Sequence, residues 1–559
     1  MLKMLIGASH VREYLSGTNR WIISGTDRVS VYLSSQTSHC TVGGVNMSGS
    51  VRLVLATLLP LLMLTSLIVL PTSVDATSWD EQERHMISGP GTVASSPLLV
   101  ADSQMNVHVA WSEGQDDIMF RSMSHGEWGD AEKVSISSTI SSIDPSMAID
   151  GEGNVHLAWV EWSYDQGTRE IVQRSMIDGE WGQINVLSHD KNDFSGLPSI
   201  AASEDGRVHV VWADGNNPNT KILYRSGTGN SWEPIEEVRS DGNGHPSWPI
   251  VAAGPGRGVH VIWYDTMEFQ GAEEGTADIF HRSKSDSTWG HTELVSSGSD
   301  KYSMTGDVGV DAEGVVHVTW NDETDFPGSE SGSDIYHRAK ADGGWQDVEL
   351  VSAGSVNYSE HASLAITPEG DLHIVWRESY GKDLSDIMHS SLSDEGWGTY
   401  TTVSTETDMS ADPTITSDGL VHVHVVWMDY GDHDELGDGS FAYHKKLWAS
   451  DKALVEGVIL DADGDPVQGV EIWVSNPGLA AVTDEKGRYA FAIDEGEYVI
   501  EAIKDGVTMQ TMSITASGGE SLVVEPSSPE TDDSPSYLIY IIAAALGLVA
   551  IILMVMRSR

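Results

Sequence analysis

The sequence predicts an all-β chain: a seven-bladed β-propeller, then a small β-sandwich, then a C-terminal transmembrane helix. Three observations carry this expectation. A phrase of an aliphatic residue, His, two small or aliphatic residues and Trp recurs seven times, ending at Trp111, Trp159, Trp212, Trp263, Trp320, Trp376 and Trp427. From Ala453 the phrase stops, and turn glycines with alternating Val, Ile and Tyr take its place. Between Tyr537 and Met556 the chain is apolar over a length that spans a bilayer.

Successive repeat tryptophans lie 48, 53, 51, 57, 56 and 51 residues apart, close to known propeller periods. Within a unit, a short strand such as Pro145 to Ile149 leads into a turn holding Asp150, Gly151 and Gly153, then into the strand of Val155, His156 and Trp159. A third strand follows a variable loop, as in Asp117 to Ser122, and a fourth follows a second Trp, as in Trp128 to Ser135. Short runs rich in Val and Ile, bounded by Gly, Asp, Asn and Ser, read as strands and turns. One such sheet cannot bury both faces alone, whereas seven set radially bury each against two neighbours. The propeller is expected over residues 77–450. Its seventh unit is irregular, because Trp448 follows the strand of Phe441 to His444 too soon. Upstream, Trp79 to Ser88 (WDEQERHMIS) matches the fourth-strand phrase at Trp289 to Ser296 (WGHTELVS), so this segment is expected to complete the last blade.

The chain has 559 residues, with 84 acidic against 31 basic residues and a formal charge of -53. So anionic a surface repels phosphate backbones and excludes nucleic acid as a partner. The single cysteine, Cys40, precedes the apolar run 53–70. Cleavage after that run removes thiol chemistry and disulfides from the remainder. Residues 1–76 are accordingly expected to be an N-terminal extension and signal peptide, with Val74, Asp75 and Ala76 at the cleavage site; an uncleaved anchor is the alternative. An acidic Pro/Ser stalk over 527–536, a membrane helix over 537–556 and a cytoplasmic tail over 557–559 follow, with Arg557 and Arg559 setting the orientation. These features predict a single-pass protein of the cell membrane with the bulk of the chain outside.

From Gly457, Val458, Asp461, Gly464, Pro466, Gly469 and Val470 to Thr483, Asp484, Gly487, Tyr489, Phe491, Gly496 and Tyr498, the second segment resembles the carboxypeptidase regulatory-like domain. That resemblance implies a transthyretin-like β-sandwich over 453–526, non-catalytic and serving as spacer or adhesion element. Asp461, Asp463 and Asp465 look like half a calcium loop, but Pro466 and Ile472 stand where an EF-hand needs Gly and Glu. A hairpin turn is the better reading.

Phrases such as DGEGNVHLAW and DIMFRSMSHGEW make the first segment similar to the sialidase-like and BNR-repeat propellers of secreted prokaryotic proteins. Sialidases of that superfamily use three arginines on a substrate carboxylate, a Tyr with a Glu as nucleophile and base, and an Asp as acid. Here Arg121, Arg174, Arg225, Arg282 and Arg338 share one repeated third-strand position and read as structural, which leaves Arg169 and Arg377 in variable loops. Two are too few for that triad. The repeat histidines, His108, His156, His209, His260, His317, His373 and His424, likewise read as structural hydrogen-bond partners.

The residues that break the repeat carry the functional expectation. Trp162 and Trp248, with Tyr164, Tyr264, Tyr380, Tyr430 and Arg377, are expected on one rim as a site for a glycan or protein ligand, since aromatic faces stack on sugar rings. A carboxylate stands two residues after each repeat Trp, at Glu113, Glu161, Asp214, Asp265, Asp322, Glu378 and Asp429; solvated turn caps and a cation-attracting funnel are the two readings. Asp429, Asp432, Asp434, Glu435 and Asp438 crowd one loop as candidate ligands for Ca²⁺. The expected role is ligand binding or adhesion, with a sialidase-type glycoside hydrolase and a structural envelope protein as alternatives.

Overall fold

The computed structural model describes Ser30–Val31, Val42–Gly43, Trp79 and most of the chain from residue 84 to 524. The chain divides into two compact units, residues 1–72 and 73–559. In the first, Ser30–Val31 pairs antiparallel with Val42–Gly43. The second is built from strands, and its one helical segment among the described residues is the short turn Pro255–Arg257.

Each sequence repeat forms an antiparallel sheet. In the first, Ala94–Ala101, Asn106–Glu113 and Asp117–Ser124 lie side by side, and the fourth strand is broken into Glu127–Trp128 and Glu132–Lys133, both on the third. The next four repeats have the same order, and the last two share one larger sheet through the single parallel pair Ser385 and Met409. The first strand of each repeat packs against the first strand of the next, and Met409–Ser417 packs back against Ala94–Ala101. The sheets therefore form a closed ring with the first strands innermost.

Closure depends on the N-terminal segment. His85–Met86 pairs with His444 and Tyr443, and the Ile87 N–H donates to the Ala442 carbonyl at 2.8 Å. Trp79 meets His389 of the preceding repeat edge to face at 5.2 Å, as Trp345 meets His281 and Trp397 meets His337. It occupies the place of a fourth-strand tryptophan, so the last sheet is completed from the other end of the chain.

The repeat tryptophans at the second strands are fully buried, each at 0–1% exposure. The repeat arginines staple neighbours together: Arg174 donates from Nε to the Gly182 carbonyl at 2.7 Å and from its guanidinium to Val134 of the preceding repeat at 2.7 Å. Arg225 and Arg338 do the same with Leu187 and Val295. Where repeat 7 has Lys445 in this position, its ammonium donates to the Val403 carbonyl at 3.0 Å.

From Ala453 the chain builds two small sheets, one containing Ala453–Val458, Arg488–Ile493 and Ser521–Val524, the other Glu471–Val474, Leu479–Val482, Gly496–Lys504 and Val507–Ala516. They close over a core of Val455, Ile472, Phe491, Ile500 and their neighbours. Asp461 caps a turn rather than a calcium loop, accepting the Asp465 N–H at 2.9 Å.

Among the described residues no helix is long and apolar enough to cross a membrane. This corrects the expectation of a single-pass membrane protein held by a C-terminal helix. Apolar length is the whole basis of that expectation, and the described structure supplies no helix to carry it. Residues 53–70, 527–536, 537–556 and 557–559 lie outside the described residues.

Candidate functional site

The innermost strand of every repeat carries a β-bulge at the same place. In repeat 2, Ile143 pairs with Val160 and Ser146 with Ala158, so Asp144 and Pro145 together stand opposite Trp159. Equivalent bulges interrupt the register in all the other repeats, each opposite the repeat tryptophan. Proline lacks the N–H that a bulge would leave unpaired, which is why Pro97, Pro145, Pro198, Pro249 and Pro413 are tolerated inside these strands.

The residue before that position has a left-handed backbone: Ser96, Asp144, Leu197, Trp248, His361 and Asp412 have φ between 49° and 57°. Each such residue costs about 1–2 kcal/mol, so the surrounding ring is over-determining the bulge. In every case this residue is partly or well exposed while the next one is buried. Bulges re-aim side chains and cluster near sites. Here they set six side chains of five different kinds at one level around the axis.

Two groups gather at this mouth. In repeat 2 the Arg169 guanidinium lies 4.0 Å over the Trp162 ring, its cross-strand partner. Burial raises the Asp144 carboxyl above its ordinary value and the charge of Arg169 opposes that rise. In repeats 6 and 7, His361 Nδ1 lies 3.3 Å from Asp412 Oδ1, so bulges of adjacent repeats touch. Arg377 pairs with Glu360, its cross-strand neighbour. The Tyr430 hydroxyl is raised by burial and by Asp412 and is lowered by Arg377, which puts all three in one electrostatic neighbourhood.

The predicted residues are distributed as follows. Trp248 sits in a bulge and is 49% exposed. Trp162 and Arg169, expected in loops, lie at strand ends and Arg377 lies inside a strand, because the strands Val155–Ser163, Thr168–Ile177 and Leu372–Gly381 run further than the sequence pattern indicates. Tyr264 packs into the core between repeats 4 and 5. Tyr380 is 44% exposed, and its hydroxyl is raised by burial and then by Asp386, a residue that also accepts from Ser404. Tyr164, Asp434 and Glu435 lie outside the described residues, and only the backbone of Asp432 and Asp438 is described.

Asp429 is held inside the sheet. It accepts from Ser410 at 2.5 Å and from the Trp427 indole at 2.9 Å, with Arg84 at 3.5 Å, and is 0% exposed. The same arrangement recurs at Glu161, Asp322 and Glu378, each receiving a repeat indole N–H and a serine hydroxyl. At these four positions the acid is a hydrogen-bond partner of a core tryptophan rather than a solvated turn cap.

Residues missed from sequence are Ser96, Asp144, Leu197, His361 and Asp412. Their signal is the residue preceding the repeated proline, and for His361 the same register without a proline. The opposite rim differs in kind. There the sandwich residues Ala480, Ala481, Asp484 and Arg488 meet Ser103, Gln104 and His125 across a cleft.

Residues 455–527 match the family described as the carboxypeptidase regulatory-like domain. No curated protein matches the chain. Among solved structures, an ulvan lyase described as a new family of polysaccharide lyase is 14% identical with a TM-score of 0.47, over 64% of this chain and 95% of that one. The polysaccharide lyase Uly1 is 11% identical with a TM-score of 0.40, over 68% and 95%. A Hadza microbial sialidase is 10% identical with a TM-score of 0.36, over 62% and 74%. The chain thus carries a carboxypeptidase regulatory-like domain behind a ring of sheets whose solved neighbours include carbohydrate-active enzymes.

Proposed function

We propose that the ring is a seven-bladed propeller whose bulge-bearing mouth binds a glycan. The observation that carries this reading is the set of bulge residues: one strained backbone in six repeats, carrying Ser, Asp, Leu, Trp, His and Asp in turn. A purely structural position would repeat its residue, as the core tryptophans do. Trp248 and Trp162 offer faces for sugar rings, Arg169 and Arg377 offer donors, and Asp144, Glu360 and Asp412 accept from hydroxyl groups. A peptide ligand would use the same aromatic and charged groups. Binding to an oligosaccharide panel tests the reading: Trp248→Ala should weaken the best ligand at least about tenfold, the effect of roughly 1.4 kcal/mol, and an unchanged affinity would remove the mouth as the site.

A second reading rests on the contact between His361 and Asp412. A half-exposed imidazole oriented by a carboxylate is a general acid or base in waiting, which fits a glycan-cleaving enzyme. Incubation of the same panel followed by mass spectrometry separates the two. Released products that vanish in His361→Ala favour the enzyme, and an unchanged panel favours binding.

A further inference from the structure

Three donors outside the mouth converge at the turn that opens the second strand of repeat 7. Asp418, His422 and His424 are 1%, 5% and 3% exposed, and one ligand atom from each lies within 4.8 Å of the others. His422 Nδ1 is 2.9 Å and His424 Nε2 is 3.7 Å from the same oxygen, Asp418 Oδ2. The other oxygen, Oδ1, accepts the N–H groups of Leu420, Val421 and His422 at 2.9–3.0 Å. Burial would raise this carboxyl, but the hydrogen bonds of His422 and His424 hold it far below the usual carboxylate range.

The other repeats show what a plain turn needs. Asn106 and Asn154 stand where His422 stands, and each clamps the equivalent aspartate through Nδ2, to Asp102 at 2.8 Å and to Asp150 at 3.0 Å. An asparagine closes the turn; the imidazole adds a metal-ligating nitrogen that the clamp does not require. The second imidazole is already oriented, because His424 Nδ1 lies 3.0 Å from His444 Nε2. Such an outer partner fixes the tautomer of a ligating histidine and leaves Nε2 for a metal. His422 needs only to carry its proton on Nε2 instead of Nδ1.

We propose that Asp418, His422 and His424 bind a divalent transition-metal ion of the Zn²⁺ class. Two imidazole nitrogens and one carboxylate oxygen suit that class, with a fourth position for water. The place explains the use. The His422 ring packs edge to face on Trp448 at 5.0 Å, and the Ala449 N–H donates to the Val421 carbonyl at 2.7 Å. The ion therefore fixes the turn on which the chain leaves the ring for the sandwich.

The full chain, stripped by chelator and titrated with Co²⁺, should show the visible ligand-field absorption of a low-symmetry site with one ion per chain. Zn²⁺ should abolish that absorption by competition and raise Tm by about 5 °C at saturation. His422→Asn keeps the clamp of repeats 1 and 2 and should lose both effects while its metal-free Tm stays near that of the parent. X-ray absorption of the Co²⁺-loaded parent should show two imidazoles, which checks the ligands without any variant. No absorption in the parent, equal absorption in His422→Asn, or an all-oxygen ligand shell would overturn the assignment.

Discussion

On the flanks of the ring the repeats use the same side chains, while at its mouth they use different side chains on the same backbone. Arg121, Arg174, Arg225, Arg282 and Arg338 all donate to two carbonyls, one in their own repeat and one in the repeat before. Ser96, Asp144, Leu197, Trp248, His361 and Asp412 share a left-handed φ but carry five different kinds of side chain. Sameness marks what each sheet needs in order to pack on its neighbour. Difference under a shared strain marks what packing does not decide, and that is where a ligand can select residues.

The comparison breaks most visibly at ring closure. Deleting residues 77–90 removes Trp79 from His389, strips the last sheet of its final strand and takes from Arg121 its partner Ile87. Calorimetry should show Tm falling by more than about 10 °C, since several kcal/mol of buried area and hydrogen bonds go together. An unchanged melt would mean the ring closes without this segment.

Next in size is the buried ion pair between repeats 3 and 4, Arg239 Nε to Asp265 Oδ2 at 2.8 Å, with side chains 6% and 0% exposed. Arg239→Ala leaves a carboxylate buried without its cation and should cost about 3–5 kcal/mol by urea unfolding. A loss below about 1 kcal/mol would show that water reaches Asp265.

Acid tests the repeated histidines together. Burial lowers His108, His209, His260 and His373 to about 4 and His389 to about 3. The unfolded chain takes up these protons near 6.5 and the folded chain does not, so stability is full above 6.5 and falls as pH drops towards 4. The slope is on the order of 1 kcal/mol per pH unit for each histidine. Carboxyls raised by burial act in the opposite sense, Asp278 to about 6 and Asp144, Glu161, Asp265, Asp307 and Asp386 with it, but these six stand against eleven histidines lowered by burial. Tm should therefore drop steadily from pH 6.5 to 4; a flat profile over that range would contradict interior, neutral histidines.

The smallest stability effect belongs to the mouth. Trp248 has φ 49° and is 49% exposed. Trp248→Asn puts a residue tolerant of that backbone in its place and should leave Tm unchanged or raise stability by about 1 kcal/mol. A clear fall in Tm would place Trp248 among packing residues.

Much of this architecture is legible in the sequence because it is repeated. The His and Trp phrase, the third-strand arginines and the fragment WDEQERHMIS each name a packing role that recurs in the structure. The acids after each tryptophan were legible in principle. Residues two apart share a face of a strand, so Glu161 and Asp429 stand beside the indoles of Trp159 and Trp427 and are drawn inside with them. The bulges were hidden for the opposite reason. Pro145 reads as a strand boundary, yet the strand runs from Ser141 to Ile149 through it. The residue that gains exposure, Asp144, therefore falls outside the apparent strand. His361 has no proline after it, and only register with the other repeats identifies it.

The most direct test of the account is the affinity of the full chain for a mixed oligosaccharide panel, measured beside Trp248→Ala and beside the double variant of Asp144→Asn with His361→Ala. The account predicts at least one ligand, an affinity reduced about tenfold or more in both variants, and melting temperatures within a few degrees of the parent. A ligand bound equally well by all three proteins, or no ligand at all, would contradict a glycan-binding mouth.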